Sequence, residues 1–146
     1  MILLDTSGLL AALDESQRYH RECAAVLRKA EPPLLLSPFV LAELDYLLAR
    51  NIGHNAQSAL LEEVARGAYQ LEPFGASDVG RAREVVERYA DLEIGLSDAS
   101  IVVLAERHGA SEVLTLDLRH FRSLRIGTRK RFKLLPLQDR FERNDT

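Results

Sequence analysis

Two aspartates in this chain close short apolar runs: Asp5 ends Ile2-Leu3-Leu4-Asp5, and Asp117 ends Val113-Leu114-Thr115-Leu116-Asp117. In open α/β sheets ligands bind outside the carboxyl ends of the strands, so an acid there can hold a cation, orient water or act as a nucleophile. Taken singly, each aspartate reads equally well as a turn or helix-cap acid. Two further acids sharpen the choice. At about 100° per residue on a helix, Glu43 projects between Phe39 and Leu47, inside the arc completed by Val40, Leu44, Leu41 and Leu48. The same projection sets Asp98 beside Ile101, Val102 and Ala105, on a stretch that stays apolar nearly all round until Glu106 and Arg107. Asp45 falls just outside the first arc and reads as a surface or orienting acid.

Carboxylates on apolar arcs need a compensating cation, because burying a charge alone costs several kcal/mol. Arginine partners are one solution, and the chain is rich in arginine. No Arg or Lys, however, lies one helical turn from Glu43, and Arg50 is two turns away. A divalent ion is the other solution. Converging carboxylates repel and raise one another's pKa unless a cation holds them ionised. Oxygen-only donors suit Mg²⁺ or Mn²⁺. The single cysteine, Cys23, and the scattered His20, His54, His108 and His120 show no spacing for zinc. Cys23 reads as a packing residue, and each histidine as a surface or packing side chain.

Charge is unevenly placed. The net formal charge is −3, yet seven of the 19 Lys and Arg fall between Arg119 and Lys133, a stretch without a single acid. Such a segment beside an acidic body can hold a phosphate backbone near metal-binding acids. It reads equally as a solvated loop.

The elements that must position these residues follow from the alternation of short apolar runs with longer stretches of helical period. That alternation marks an α/β domain with a largely parallel sheet. Strands are predicted near Ile2 to Asp5, Leu34 to Ser37, Tyr69 to Leu71, Val113 to Leu116 and Phe132 to Leu135. Helices are predicted near Ser7 to Leu13, Gln17 to Lys29, Pro38 to Asn51, Asn55 to Arg66, Ser77 to Tyr89 and Asp98 to His108, with a helical turn around Arg119 to Ser123. Ser37 before Pro38 reads as an N-cap with proline at the first helical position, and Ser97 before Asp98 reads the same way. Gly53, Gly67 and Gly109 sit where a left-handed terminating residue is expected. With 47% hydrophobic and 28% charged residues and no linker or repeat, residues 1 to 146 are expected to form one domain. Arg140 to Thr146 are polar enough to fray. No stretch reads as a secretion signal or a membrane span, so a cytoplasmic location is expected.

These motifs in order carry a resemblance. Asp5-Thr6-Ser7, Glu43 in Val40-Leu41-Ala42-Glu43-Leu44, Gly95-Leu96-Ser97-Asp98-Ala99, and Thr115-Leu116-Asp117 followed by Phe121 resemble the successive motifs of PIN-domain ribonucleases. Within that family the chain is most similar to the VapC toxins of bacterial toxin–antitoxin pairs, from about Ile2 to Pro136. The resemblance implies a PIN-like α/β/α sandwich around a mainly parallel sheet of four to five strands, with Mg²⁺ or Mn²⁺ held by Asp5, Glu43, Asp98 and Asp117. It implies metal-assisted in-line attack of water on an RNA phosphodiester, leaving a 5′-phosphate and a 3′-hydroxyl. Ser7 and Thr115 would orient the carboxylates by hydrogen bonding, a role the residue types also permit. Asp117 stays open between direct ligand and orienting acid; His120, read above as a surface or packing side chain, has contact with RNA as its alternative because it lies in the basic segment. The resemblance further implies a homodimer and a cognate VapB-type antitoxin that occludes the site, often with a basic side chain among the acids.

Rival readings fit less well. An aspartyl-phosphate phosphatase of the haloacid-dehalogenase type wants a second acid two residues after the strand-end aspartate, where Ser7 stands. A receiver domain wants paired acids after the first strand, where Thr6 follows Asp5. A module that keeps this fold and these acids but only binds RNA or a partner protein remains the alternative to an endoribonuclease.

Overall fold

The computed structural model describes residues 1–136, so the fraying expected of Arg140 to Thr146 lies outside the described residues. Strand β1 (Ile2–Leu4) leads through α1 (Thr6–Leu13) and α2 (His20–Lys29) to β2 (Leu34–Leu36). Helices α3 (Pro38–Asn51) and α4 (His54–Ala65) then lead to β3 (Gln70–Leu71). The chain returns through α5 (Ala76–Arg88), a 3-10 turn at Ala90–Leu92 and α6 (Leu96–His108) to β4 (Glu112–Leu114). Helix α7 (Leu118–Ser123) and a hairpin of β5 (Arg125–Ile126) with β6 (Lys130–Arg131) precede β7 (Lys133–Leu135).

Five strands form one sheet in the order β3-β2-β1-β4-β7, every neighbouring pair parallel. Successive side chains on a strand point to opposite faces. Ile2, Leu3 and Leu4 are nevertheless all buried, as are Leu35 and Leu36 on β2 and Val113 and Leu114 on β4. Both faces of the sheet are therefore covered, which is the α/β/α arrangement expected of a buried parallel sheet. Among the described residues, no helix is long and apolar enough to cross a membrane.

Strand order decides where a ligand can sit. From β1 the chain steps outward to β2 and β3, then crosses back to β4 on the other side of β1 and steps outward again to β7. Connections leaving β1 and β4 thus diverge, and a crevice opens between them at their carboxyl ends. Helix α1 approaches β4 closely beside that crevice. A Cβ added at Gly8, in the first turn of α1, would lie 2.4 Å from the Leu114 carbonyl oxygen and 2.8 Å from Leu114 Cγ.

Three local expectations need correction. Helix α2 begins at His20 rather than Gln17, because the Asp14 carboxylate accepts from the Ser16 backbone N–H and hydroxyl and from the Gln17 amide, holding these residues in a turn. Helix α6 begins at Leu96 with Gly95 at the cap position, so Ser97 lies inside the helix and its hydroxyl is free for other work. The basic stretch also contains an antiparallel hairpin, Arg125↔Arg131 and Ile126↔Lys130, with a turn glycine at φ 63°, Gly127. Two-residue strands are too short to show alternation in sequence. Ser37 behaves as expected, accepting from the Phe39 N–H at 3.2 Å with Pro38 following.

Candidate active site

The crevice between β1 and β4 is a cleft of about 390 Å³ whose lining includes Asp5, Glu43, Asp98, Asp117 and His120. Each acid arrives on a different element. Asp5 follows β1, Glu43 stands on α3, Asp98 in the first turn of α6, and Asp117 at the N-cap of α7 after β4. All four acids named from the sequence therefore meet at one place.

Asp5 is the most enclosed of them, 5% exposed. Thr115 donates its hydroxyl to Asp5 Oδ2 at 2.7 Å and Ser7 donates to the same oxygen at 3.0 Å. These bonds favour the charged form, but burial outweighs them, and together with repulsion from Asp98 it pushes the carboxyl up to about 6. Ser7 and Thr115 also shape the loop after β4, accepting from the Leu116 and Asp117 N–H groups at 3.0 and 2.9 Å.

Glu43 departs from its expected setting. Its residue is exposed rather than turned into the core, and it reaches the cleft because hydroxyls from two other helices hold it. Thr6 donates to Oε2 at 2.9 Å and Ser97 to Oε1 at 2.6 Å. Ser97, read from the sequence as a cap, instead ties α6 to α3. Asp45 lies apart from this cluster, accepting from Gln57 at 2.8 Å and linking α3 to α4.

Asp98 and Asp117 converge on a residue the sequence reading did not place in the cluster. Nδ1 of His120 lies 3.0 Å from Asp98 Oδ2 and 2.9 Å from Asp117 Oδ2, and one potential ligand atom from each of the three lies within 4.8 Å of the others. Asp117 Oδ1 meanwhile accepts the His120 N–H at 3.1 Å. Burial raises the pKa of Asp98; His120 pulls it down, and Asp117 and Glu43 push it up. The available signal was the i, i+3 spacing of Asp117 and His120, which puts both on one face of a helical turn.

Residues 2–126 match the family described as PIN domain. The chain belongs to the PIN-domain family. Ribonuclease VapC26 of Mycobacterium tuberculosis is 41% identical over 135 residues, which are 92% of this chain and 100% of that protein. The resemblance to VapC ribonucleases carried by the motifs therefore holds. Among solved structures, VapC20 of Mycobacterium tuberculosis, described as a sarcin-ricin loop cleaving toxin, superposes with a TM-score of 0.75 at 24% identity, covering 80% of this chain and 90% of that one. VapBC2 of Rickettsia felis, bound to a DNA fragment from its promoter, gives 0.64 at 18% identity over 92% of this chain and 98% of its own. At these identities the likeness shows the fold.

The cleft of this PIN domain suits a divalent cation. Among the described residues, its lining holds four carboxylates against one imidazole, with no Lys or Arg. Carboxylate oxygens are the donors Mg²⁺ and Mn²⁺ take, and a group of that charge would offset both the burial and the mutual repulsion that raise Asp5 and Asp98.

Proposed function

We propose that this VapC-type PIN domain cleaves RNA phosphodiester bonds in the cleft between β1 and β4, with Asp5, Glu43, Asp98 and Asp117 holding Mg²⁺ or Mn²⁺. The observation that carries the reading is the lining itself, where four acids from four elements face one histidine. A bound divalent ion would supply charge neutralisation and Lewis acidity toward the phosphodiester. The chain's own residues prepare the place for it. Thr115 and Ser7 fix the rotation of the Asp5 carboxylate, Thr6 and Ser97 fix Glu43 from two sides, and the N-terminal end of α6 favours the charge on Asp98. Cations on α7 and the β5–β6 hairpin, next in the chain after Asp117, would take the RNA backbone.

The same reading makes the chain the toxin of a type II toxin–antitoxin pair, acting as a homodimer and restrained by a VapB-type antitoxin that covers the cleft. Its support is the identity to ribonuclease VapC26 over the whole of that protein. The deciding experiment incubates purified protein with structured RNAs and Mg²⁺ or Mn²⁺. Cleavage leaving 5′-phosphates is expected, lost in EDTA and in Asp98→Asn. Equal cleavage by wild type and Asp98→Asn, or activity that survives full chelation, refutes the assignment. Metal-dependent RNA binding without cleavage would favour the binding module instead.

A further inference from the structure

We propose that His120 is itself a metal ligand through Nδ1, forming with Asp98 and Asp117 a mixed nitrogen–oxygen donor set that shifts the cleft's preference from Mg²⁺ toward Mn²⁺. The proposal rests on the reading of the cleft as a divalent-cation site and adds to it a donor of a different kind.

Geometry supplies the case. Nδ1 stands between the two carboxylates, 2.9 Å from Asp117 Oδ2 and 3.0 Å from Asp98 Oδ2. In these three residues the potential ligand atoms lie within 4.8 Å of one another, close enough to share one ion. The ring is held there by the backbone as well as by its own contacts. Asp117 caps α7 by accepting the His120 N–H, so the residue that offers one ligand atom also fixes the turn that presents the next. Residues three apart on a helix face the same way, which lets one turn bring a carboxylate and an imidazole to one ion. Phe121, the next residue, is 1% exposed and packs edge-on against Phe132 at 5.5 Å, so α7 cannot roll the ring away without opening the core.

Chemistry supplies the consequence. An imidazole with its proton on Nε2 presents a lone pair at Nδ1. Mg²⁺ is bound almost wholly through oxygen and keeps several waters, so a nitrogen donor adds little to its affinity. First-row transition ions accept imidazole nitrogen, and Mn²⁺ is the member of that series closest to Mg²⁺ in its liking for carboxylates. A site of acids alone would discriminate weakly between the two ions.

The test uses the full chain loaded with one equivalent of Mn²⁺. Pulsed electron paramagnetic resonance reads ¹⁴N modulation from a directly bound imidazole, and Mn²⁺ and Mg²⁺ affinities are titrated in parallel for wild type, His120→Asn and His120→Ala. Asparagine sets an amide N–H near the position of Nδ1, a hydrogen-bond donor for the two carboxylates that has no nitrogen lone pair to give a metal. It remains informative if the alanine variant folds poorly. Expected are ¹⁴N modulation in the wild type, its loss in both variants, and a fall in Mn²⁺ affinity of about tenfold or more with Mg²⁺ affinity nearly constant. Bound Mn²⁺ without ¹⁴N modulation, or wild-type Mn²⁺ affinity in His120→Asn, would reduce His120 to a hydrogen-bonding positioner and overturn the proposal while leaving the cation reading intact. Failure of the wild type to bind either ion would overturn both.

Discussion

Thr115, just beyond β4, donates its hydroxyl to Asp5 Oδ2, just beyond β1, at 2.7 Å across 110 residues of sequence. Thr115 Oγ1 itself accepts the Asp117 N–H at 2.9 Å. One fully buried hydroxyl thus sets both the first acid of the cleft and the backbone that presents the last.

Thr115→Val, which keeps the shape and removes the hydroxyl, should therefore act on stability and metal affinity together. Leaving a buried donor and acceptor short of a partner costs about 1–3 kcal/mol. Loss of a group that orients a ligand should weaken Mg²⁺ or Mn²⁺ binding roughly tenfold. Urea unfolding in EDTA and a metal titration measure the two effects separately. Unchanged metal affinity in a destabilised variant would show that Thr115 serves folding alone.

Asp5 gives the metal-free protein a pH dependence whose sign can be fixed. Burial raises its folded-state pKa from the ordinary 3.8 to about 6, so folding favours the protonated form. The stabilising contribution is complete below pH 3.8 and is lost as pH rises through about 6. By pH 7 the loss is on the order of 3 kcal/mol. In EDTA, Asp5→Asn should gain stability over the wild type as pH rises from 4 to 7, and Mg²⁺ or Mn²⁺ should stabilise the wild type more than the variant. A difference between the two that stays flat with pH would mean the carboxyl is ionised in the folded protein without penalty.

Much of this was legible in the sequence because strand ends and helix arcs are local properties. Ile2 to Asp5 and Val113 to Asp117 announce themselves as apolar runs closed by acids, whereas their adjacency in the sheet, which makes the switch point, comes from the strand order. Helix α6 was legible as buried because its apolar residues run all round it, and Ser97 to Ala105, apart from Asp98, are indeed buried. Glu43 was located for a partly mistaken reason. The arc put it on the core side, whereas the residue is exposed and is drawn to the cleft by Thr6 and Ser97. Those two hydroxyls escape a local reading because their Glu43 partner lies 37 and 54 residues away and no local period encodes such pairings; His120 reaches Asp98 across 22 residues, and only its i, i+3 spacing from Asp117 is a local signal. The β5–β6 hairpin escaped because its strands are only two residues each.

Gly8 tests how closely α1 must approach β4. A methyl group there would meet the Leu114 carbonyl carbon at 2.6 Å and its oxygen at 2.4 Å, and backbone cannot step aside as a flexible side chain can. Although alanine is the better helix former, Gly8→Ala should destabilise by about 1–3 kcal/mol through overpacking. Because α1 carries Ser7 against Thr115, metal affinity should fall as well. Thermal unfolding and a Mn²⁺ titration check this. A more stable variant with unchanged affinity would mean the helix is free to back away.

The basic segment yields the sharpest distinction between a docking surface and a solvated one. Arg129, Lys130 and Arg131 are exposed, and none pairs with a carboxylate among the described residues. They are not on a loose loop. The Arg88 guanidinium donates to the Gly127 and Thr128 carbonyls at 3.0 and 3.2 Å, fixing the turn, and Arg131 lines a cleft with Phe121 and Arg122 of α7 and with Phe132. Fixed cations with no internal acid retain their field for a polyanion. Replacing all three with glutamine should weaken RNA binding and flatten the slope of log K against log salt by about 2, at roughly 0.7 per phosphate contact on single-stranded RNA. Metal affinity and unfolding temperature should barely move, since none of the three lines the acidic cleft. A salt slope equal to that of the wild type would make the hairpin an ordinary solvated face, and the RNA would then have to be held by the cleft alone.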